Sequence, residues 1–258
     1  MVARAHRAVR VSAVLGGALI AGSLLTGCGT ANADDATPES RTFSLGGREL
    51  TVDTDNSAVE LVPGDGDGKQ VKVTRWFDGW ALGGSTGVTW AMEDGGTLKL
   101  RVKCKGVTVG CEAKHRIEVP RGVDVTVRDG DGTITARGFE SRLKVTSGNG
   151  AIEVRDTKGP LELKSSNGQI TAEGVGSRKV SATTSNGEIR LGLTAAPDTV
   201  TTRTNNGSTR ITVPRAPYKV TAGSGNGSVH VDVPRDDAAP HAVSAHSGNG
   251  SIDVRTSG

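Results

Sequence analysis

A chain of 258 residues with 3% aromatic side chains and 37 glycines holds too few bulky groups for a core built on large side chains, and suits many turns with small inward residues. The formal charge of +3 equals the contribution of Arg4, Arg7 and Arg10, because no acid precedes Asp34. Without those three arginines the chain is neutral, and no basic stripe is present that would suit nucleic acid.

Residues 1–27 read as a leader. After the arginines comes "VSAVLGGALIAGSLL", shorter than the ~20 apolar residues a transmembrane helix needs. It ends in Leu25-Thr26-Gly27-Cys28, which resembles a bacterial lipobox. That resemblance implies a lipoprotein signal peptide, acylation of Cys28, and a chain held by lipid on the extracytoplasmic face of the cell membrane. An ordinary signal peptide with a stray cysteine is the plainer alternative. Residues 28–41 then comprise the lipidated cysteine and a polar tether, "GTANADDATPESR", reaching at most ~45 Å at ~3.4 Å per residue.

From residue 42 onward the alternation is that of strands. "RELTVDT", "SAVELVP", "KQVKVTRW", "TLKLRVK" and "KHRIEVP" alternate apolar with polar residues, and "VPGDGDGK" and "AMEDGGT" are turns. Residues 42–122 are expected to form irregular coils continuous with the more regular chain from residue 123; a small separate antiparallel sheet is the alternative. Trp76, Phe77, Trp80 and Trp90 lie in a glycine-rich stretch read as a loop. Two readings stand for them: a cap on the open end of a coil stack, or an aromatic platform for a sugar or protein. Cys104 and Cys111, in "CKGVTVGC", are expected to form a disulfide on the exported side. Their spacing is not C-x-x-C, and no further cysteine remains to complete a metal or redox site.

Residues 123–258 carry a repeat. Glycines at 132, 150, 168, 187, 207, 227 and 250 recur at steps of 18, 18, 19, 20, 20 and 23 residues. Six are preceded by Asn149, Asn167, Asn186, Asn206, Asn226 and Asn249. Around each Asn the columns agree: an apolar residue six before (Leu143 to Val243), a hydroxyl two before (Ser147 to Ser247), and apolar or small residues three and five after. Period-two alternation on both sides of a turn means two short strands per repeat. Asn-Gly also marks hairpins, but a row of antiparallel hairpins has no need of identical columns. A coil of 18–20 residues stacked in parallel at ~4.8 Å per step does. The expected fold is all-β, a single-stranded parallel β-helix or β-solenoid. Its corners would turn at Asn-Gly through positive φ, held by a buried ladder of Asn side chains and closed by the hydroxyl column.

These "S-x-N-G-x-I-x-V" words, best seen in "TSGNGAIEV" and "SSNGQITAE", with "CEAKHRIEVPRGVDVTVRDGDGTI" leading into the first coil, resemble the adhesin-like family of bacterial β-strand-repeat lipoprotein domains of unknown function, relatives of the head-GIN domains. The resemblance covers roughly residues 42–258. It implies a right-handed parallel β-helix outside the membrane and no established activity.

Some β-helices are polysaccharide lyases or hydrolases, whose sign would be paired outward carboxylates. The outward column reads Glu153, Thr171, Arg190, Arg210, His230, Asp253, with no vertical pair of acids. Arg190, Arg210 and His230 form a short basic run in chain order, either a solvated face or a contact for an anionic glycan. The histidines lack metal-ligand spacing and read as surface groups; "PGDGDGK" and "RDGDGTI" hint only weakly at calcium. No metal or cofactor is expected. The function read from the sequence is a non-catalytic binding or scaffolding module at the cell envelope, with an envelope glycan or protein as partner. A carbohydrate-active enzyme and a purely structural spacer are the alternatives.

Overall fold

In a computed structural model of the protein, residues 33–65 and 68–257 are described; the leader and Cys28 fall outside them. A short 3-10 turn, Ala33–Asp35, comes first. Next come five strands: β1 (Glu39–Ser44), β2 (Glu49–Thr54), β3 (Ala58–Pro63), and two long ones, β4 (Gln70–Glu93) and β5 (Thr97–Val119). The repeats then supply two strands each: β6 (Asp124–Asp129) and β7 (Ile134–Arg137), β8 (Leu143–Ser147) and β9 (Ile152–Arg155), β10 (Leu161–Ser165) and β11 (Ile170–Val175), β12 (Lys179–Asn186) and β13 (Ile189–Leu193), β14 (Thr199–Asn206) and β15 (Thr209–Val213), β16 (Lys219–Asn226) and β17 (Val229–Asp232), β18 (Ala242–Asn249) and β19 (Ile252–Thr256). All nineteen belong to one continuous sheet.

Equivalent strands of neighbouring coils pair in parallel and in register. Leu143 lies beside Leu161, Leu161 beside Val180, and Val180 beside Val200. On the other wall Ile134, Ile152, Ile170, Ile189 and Thr209 succeed one another. Because backbone hydrogen bonds run between coils, alternate side chains point inward, and columns of like residues fill the narrow interior. Leu163, Ile170, Ala172, Ala182, Ile189 and Ile211 are fully buried there. The solenoid expected from the repeat is the fold observed.

Both ends depart from chain order. At the N-terminal end β2 and β3 make one complete coil. It pairs on one side with β6 and β7. On the other side it meets β5, whose start pairs with β2 and whose end pairs with β3. β4 runs antiparallel along nearly all of β5, and β1 runs antiparallel to the start of β4. The irregular portion is therefore one coil closed by an antiparallel ribbon, with Phe43, Trp90 and Met92 packed on the core end.

At the C-terminal end the last coil is not outermost. β14 pairs with β18 and β15 with β19, while β16 and β17 pair only with β18 and β19. Residues 242–256 are thus inserted between the coil of 199–213 and the coil of 219–232. The exposed end is the penultimate coil, where Val229 is 42% exposed, and not the last one.

Candidate functional site

The corners explain the repeated Asn-Gly. Each Asn amide donates to the side-chain oxygen of the neighbouring corner. Asn167 donates to Asn149 at 2.7 Å; Asn186 to Asn167, Asn206 to Asn186, Asn249 to Asn206 and Asn226 to Asn249 each do so at 2.8 Å. The ladder takes the spatial order of coils, so Asn249 precedes Asn226. It ends on Asp131, which accepts from Asn149. Asn56, at the corner between β2 and β3, meets the other Asp131 oxygen at 2.7 Å once its amide is turned to donate. Two donors converging on one corner need an acceptor-only group, and an ionised carboxylate is one. The ladder is exposed along its length, not buried as the sequence suggested, so each rung contributes less.

The glycines serve close approach. An ideal Cβ on Gly150 would stand 1.7 Å from the carbonyl oxygen of Gly132, and one on Gly168 would stand 2.0 Å from that of Gly150. Positive φ is not the common requirement: among described residues only Asp156 is a non-glycine with positive φ, and Gly150, Gly168 and Gly187 lack it. None of the six corner Asn residues turns the chain through that region. The hydroxyl column lies inside the corner. Ser147 and Ser165 accept the N–H of Gly150 and Gly168, and Thr184, Thr204, Ser247 and Ser224 donate to glycine carbonyls of the adjoining coil.

Where β6 meets its corner, Asp129 occupies the hydroxyl position, beside Ser147. It is buried, and neither oxygen has a well-formed hydrogen-bond partner. Burial raises its pKa to about 7; the N–H groups of Gly132 and Gly130 offset this in part, while Asp131 and Asp55 add to it. His115 on β5 is also fully buried with both ring nitrogens unpartnered, which corrects its reading as a surface group. Burial lowers its pKa to about 4, Arg75 adding to the effect and Asp55 opposing it. Among the described residues, no group of three or more His, Cys, Asp or Glu could hold a metal ion.

The aromatic stretch belongs to β4 and is not a loop. Between the part of β5 on β2 and the part on β3, the ribbon projects outward as an arm. Its neck is closed by a disulfide between Cys104 and Cys111, with Cα atoms 6.5 Å apart. On β4 a bond from Thr86 Oγ1 to the Gly79 carbonyl, 3.0 Å, joins the residues paired with those cysteines. Trp90 packs against Phe43 edge-to-face and takes the Arg75 guanidinium on its ring at 4.3 Å; it covers the core end. Trp76 lies under Lys114, with the ammonium 5.8 Å from the ring centre, and Phe77 folds over Gly79. Trp80 stands at the tip, 57% exposed. The four aromatics thus separate: Trp90 caps, and Trp80 alone is presented to solvent.

The basic run is broken. Arg210 lies beside Asp253, not His230, because of the inserted coil. Arg190 makes a two-toothed bond to Glu188 at 2.9 and 2.8 Å, and Arg210 stands 3.6 Å from Asp253 and 3.9 Å from Glu188. A surface depression lies elsewhere, between the turns at 46–49 and 92–96, where Glu93 pairs with Lys99 at 2.8 Å.

Residues 117–257, more than half of the chain, match the family described as Toastrack DUF4097. The chain belongs to that family. The Toastrack match starts inside β5 and takes in every regular coil, leaving the arm outside it. Solved structures with a similar course include a candidate lipid-binding protein from Parabacteroides distasonis (14% identity, 87% of this chain and 98% of that one, TM-score 0.50). Two candidate adhesins also match: one from the same organism (13%, 85% and 98%, 0.49) and one from Parabacteroides merdae (12%, 87% and 98%, 0.46). At such identities the likeness concerns the fold alone. No curated protein matches.

Proposed function

We propose that this Toastrack protein is a lipoprotein held to the extracytoplasmic face of the cell membrane through Cys28, whose solenoid binds or scaffolds at the cell envelope without catalysing a reaction. The observation that carries the non-catalytic reading is the pairing of charges on the outward walls. Arg190, Arg210 and Arg255 are each matched by Glu188 or Asp253, and Lys144 and Lys164 share Glu162. Such walls offer a flat, ion-paired surface for contact. A hydrolase or lyase needs instead an acid and a base left free to exchange protons in one cleft. The partner that suits this surface is an envelope glycan or another envelope protein.

Two measurements test the two halves of the reading. Radiolabelled palmitate fed to producing cells should label the protein, and Cys28→Ser should abolish the label. The chain from Gly29, which contains every described residue, should bind envelope glycan or protein fractions without turnover. Release of soluble product from an envelope polysaccharide would establish an enzyme instead.

A further inference from the structure

We infer that the tip of the β4–β5 arm is a membrane-contacting element: Trp80, Leu82 and Val107 enter the interfacial layer of an anionic bilayer, with Lys103 and Lys105 on its headgroups. Of the large apolar side chains that are exposed among the described residues, Trp80 at 57%, Leu82 at 57% and Val107 at 67% all sit on this tip, leaving only Val229 elsewhere. Leu82 lies opposite Val107 across the ribbon, and Trp80 is two residues from Leu82 on the same strand, so the three share one face. A clustered exposed apolar patch on a projecting element marks a contact surface.

Its chemistry favours lipid over protein. Segments 79–87 and 103–111 contain two lysines, both exposed, and no Asp or Glu. Tryptophan prefers the bilayer interface, where its ring is half in hydrocarbon, and lysines beside it are drawn to anionic headgroups. The tip is also preformed: the disulfide and the Thr86–Gly79 bond close its neck, so little ordering is left to oppose insertion.

The start of the described chain gives an independent reason. Ala33–Asp35 does not hang free as a tether. The Ala33 N–H donates to Glu112 Oε2 at 3.4 Å, and Asp34 pairs with Lys114. Together with Cys111 these residues line one small depression at the neck of the arm. Cys28 precedes Ala33 by five residues, at most ~17 Å of chain at ~3.4 Å each. This clause rests on the proposed acylation: a lipid at Cys28 holds the bilayer surface within reach of the arm, so tip contact becomes an intramolecular event. Lipid and tip would then fix the solenoid's orientation on the membrane.

The test uses the chain from Gly29, which lacks the acylated residue, in sedimentation with vesicles of phosphatidylglycerol and phosphatidylcholine. Binding is expected to vesicles containing phosphatidylglycerol, to fall with added salt, and to weaken at least ~10-fold with pure phosphatidylcholine. Trp80→Ser/Leu82→Ser/Val107→Ser and, separately, Lys103→Glu/Lys105→Glu should each weaken it ~10-fold or more, with an unchanged circular dichroism spectrum and melting temperature. Three results would each overturn the inference. The unaltered chain could ignore anionic vesicles. The folded tip variants could bind as well as the parent. Light scattering could find the parent a dimer and the tip variant a monomer, with vesicle binding unaltered, which would assign the patch to a second copy. Because residue 28 is absent from that chain, failure of the unaltered protein to take up palmitate in cells, with vesicle binding retained, would sink the anchor alone.

Discussion

A methyl group added at Gly168 would lie 2.0 Å from the Gly150 carbonyl oxygen and 2.8 Å from Ser165 Oγ. Gly168→Ala must push two coils apart at a corner where both are held by backbone bonds, and is expected to cost about 3 kcal/mol. Asn167→Ala removes an exposed rung and should cost only about 1 kcal/mol. Urea unfolding midpoints of the two variants check this ranking. Asp129 and His115 set opposed pH dependences. Asp129 has a folded pKa raised to about 7, so the unfolded state releases its proton first and stability falls as pH rises from about 4 to about 7. His115 has a folded pKa lowered to about 4, so the unfolded state takes up its proton first and stability is lost as pH falls from about 6.5 to about 4. The two slopes oppose each other in nearly one window. Asp129→Ser, which restores the column's hydroxyl, is expected to add about 1–3 kcal/mol at pH 8 and to leave a protein that weakens steeply on acidification. Thermal melts from pH 4 to 8 would show both effects.

At the scale of the strand, what counts is agreement within a column. Thr209 lies between Ile189 and Ile252, is buried, and leaves its hydroxyl unbonded. Thr209→Val keeps the shape and removes the stranded polar group, and should raise stability by about 1 kcal/mol in denaturant melts. The arm answers to a different constraint. Its disulfide closes a loop with a sequence separation of 7, so its effect is local. Cys104→Ser/Cys111→Ser should speed amide hydrogen exchange in 79–87 and 103–111 and leave protection in 143–213 unchanged.

For the whole molecule, the regular coils were legible because each column states its inward residues seven times over. Leu143, Leu161, Val180 and Val200 need no partner outside the repeat to reveal the stack. Three features were not legible. Asn56 holds a corner in a coil whose surrounding letters differ, so it does not align, and Asp129 aligns through Gly132 but carries a carboxylate where the other copies have a hydroxyl. The arm's glycines read as a loop because an outward-bent ribbon buries little and shows no alternation at its tip. The order of the last coils is hidden by the very identity of the columns. Val220 and Val243, Ala222 and Ala245, Ser224 and Ser247, Asn226 and Asn249 are interchangeable to any rule based on pattern.

That interchange has a consequence for how the chain is made. The coil of 219–232 leaves the ribosome first, and its strands offer β14 and β15 the same partners as the later coil of 242–256. Yet the native neighbour of β14 is β18, synthesised later. A solenoid can grow by adding layers to an open end, but this one cannot finish that way. Residues 242–256 must slip beneath a layer already made, or that layer must wait undocked until they arrive.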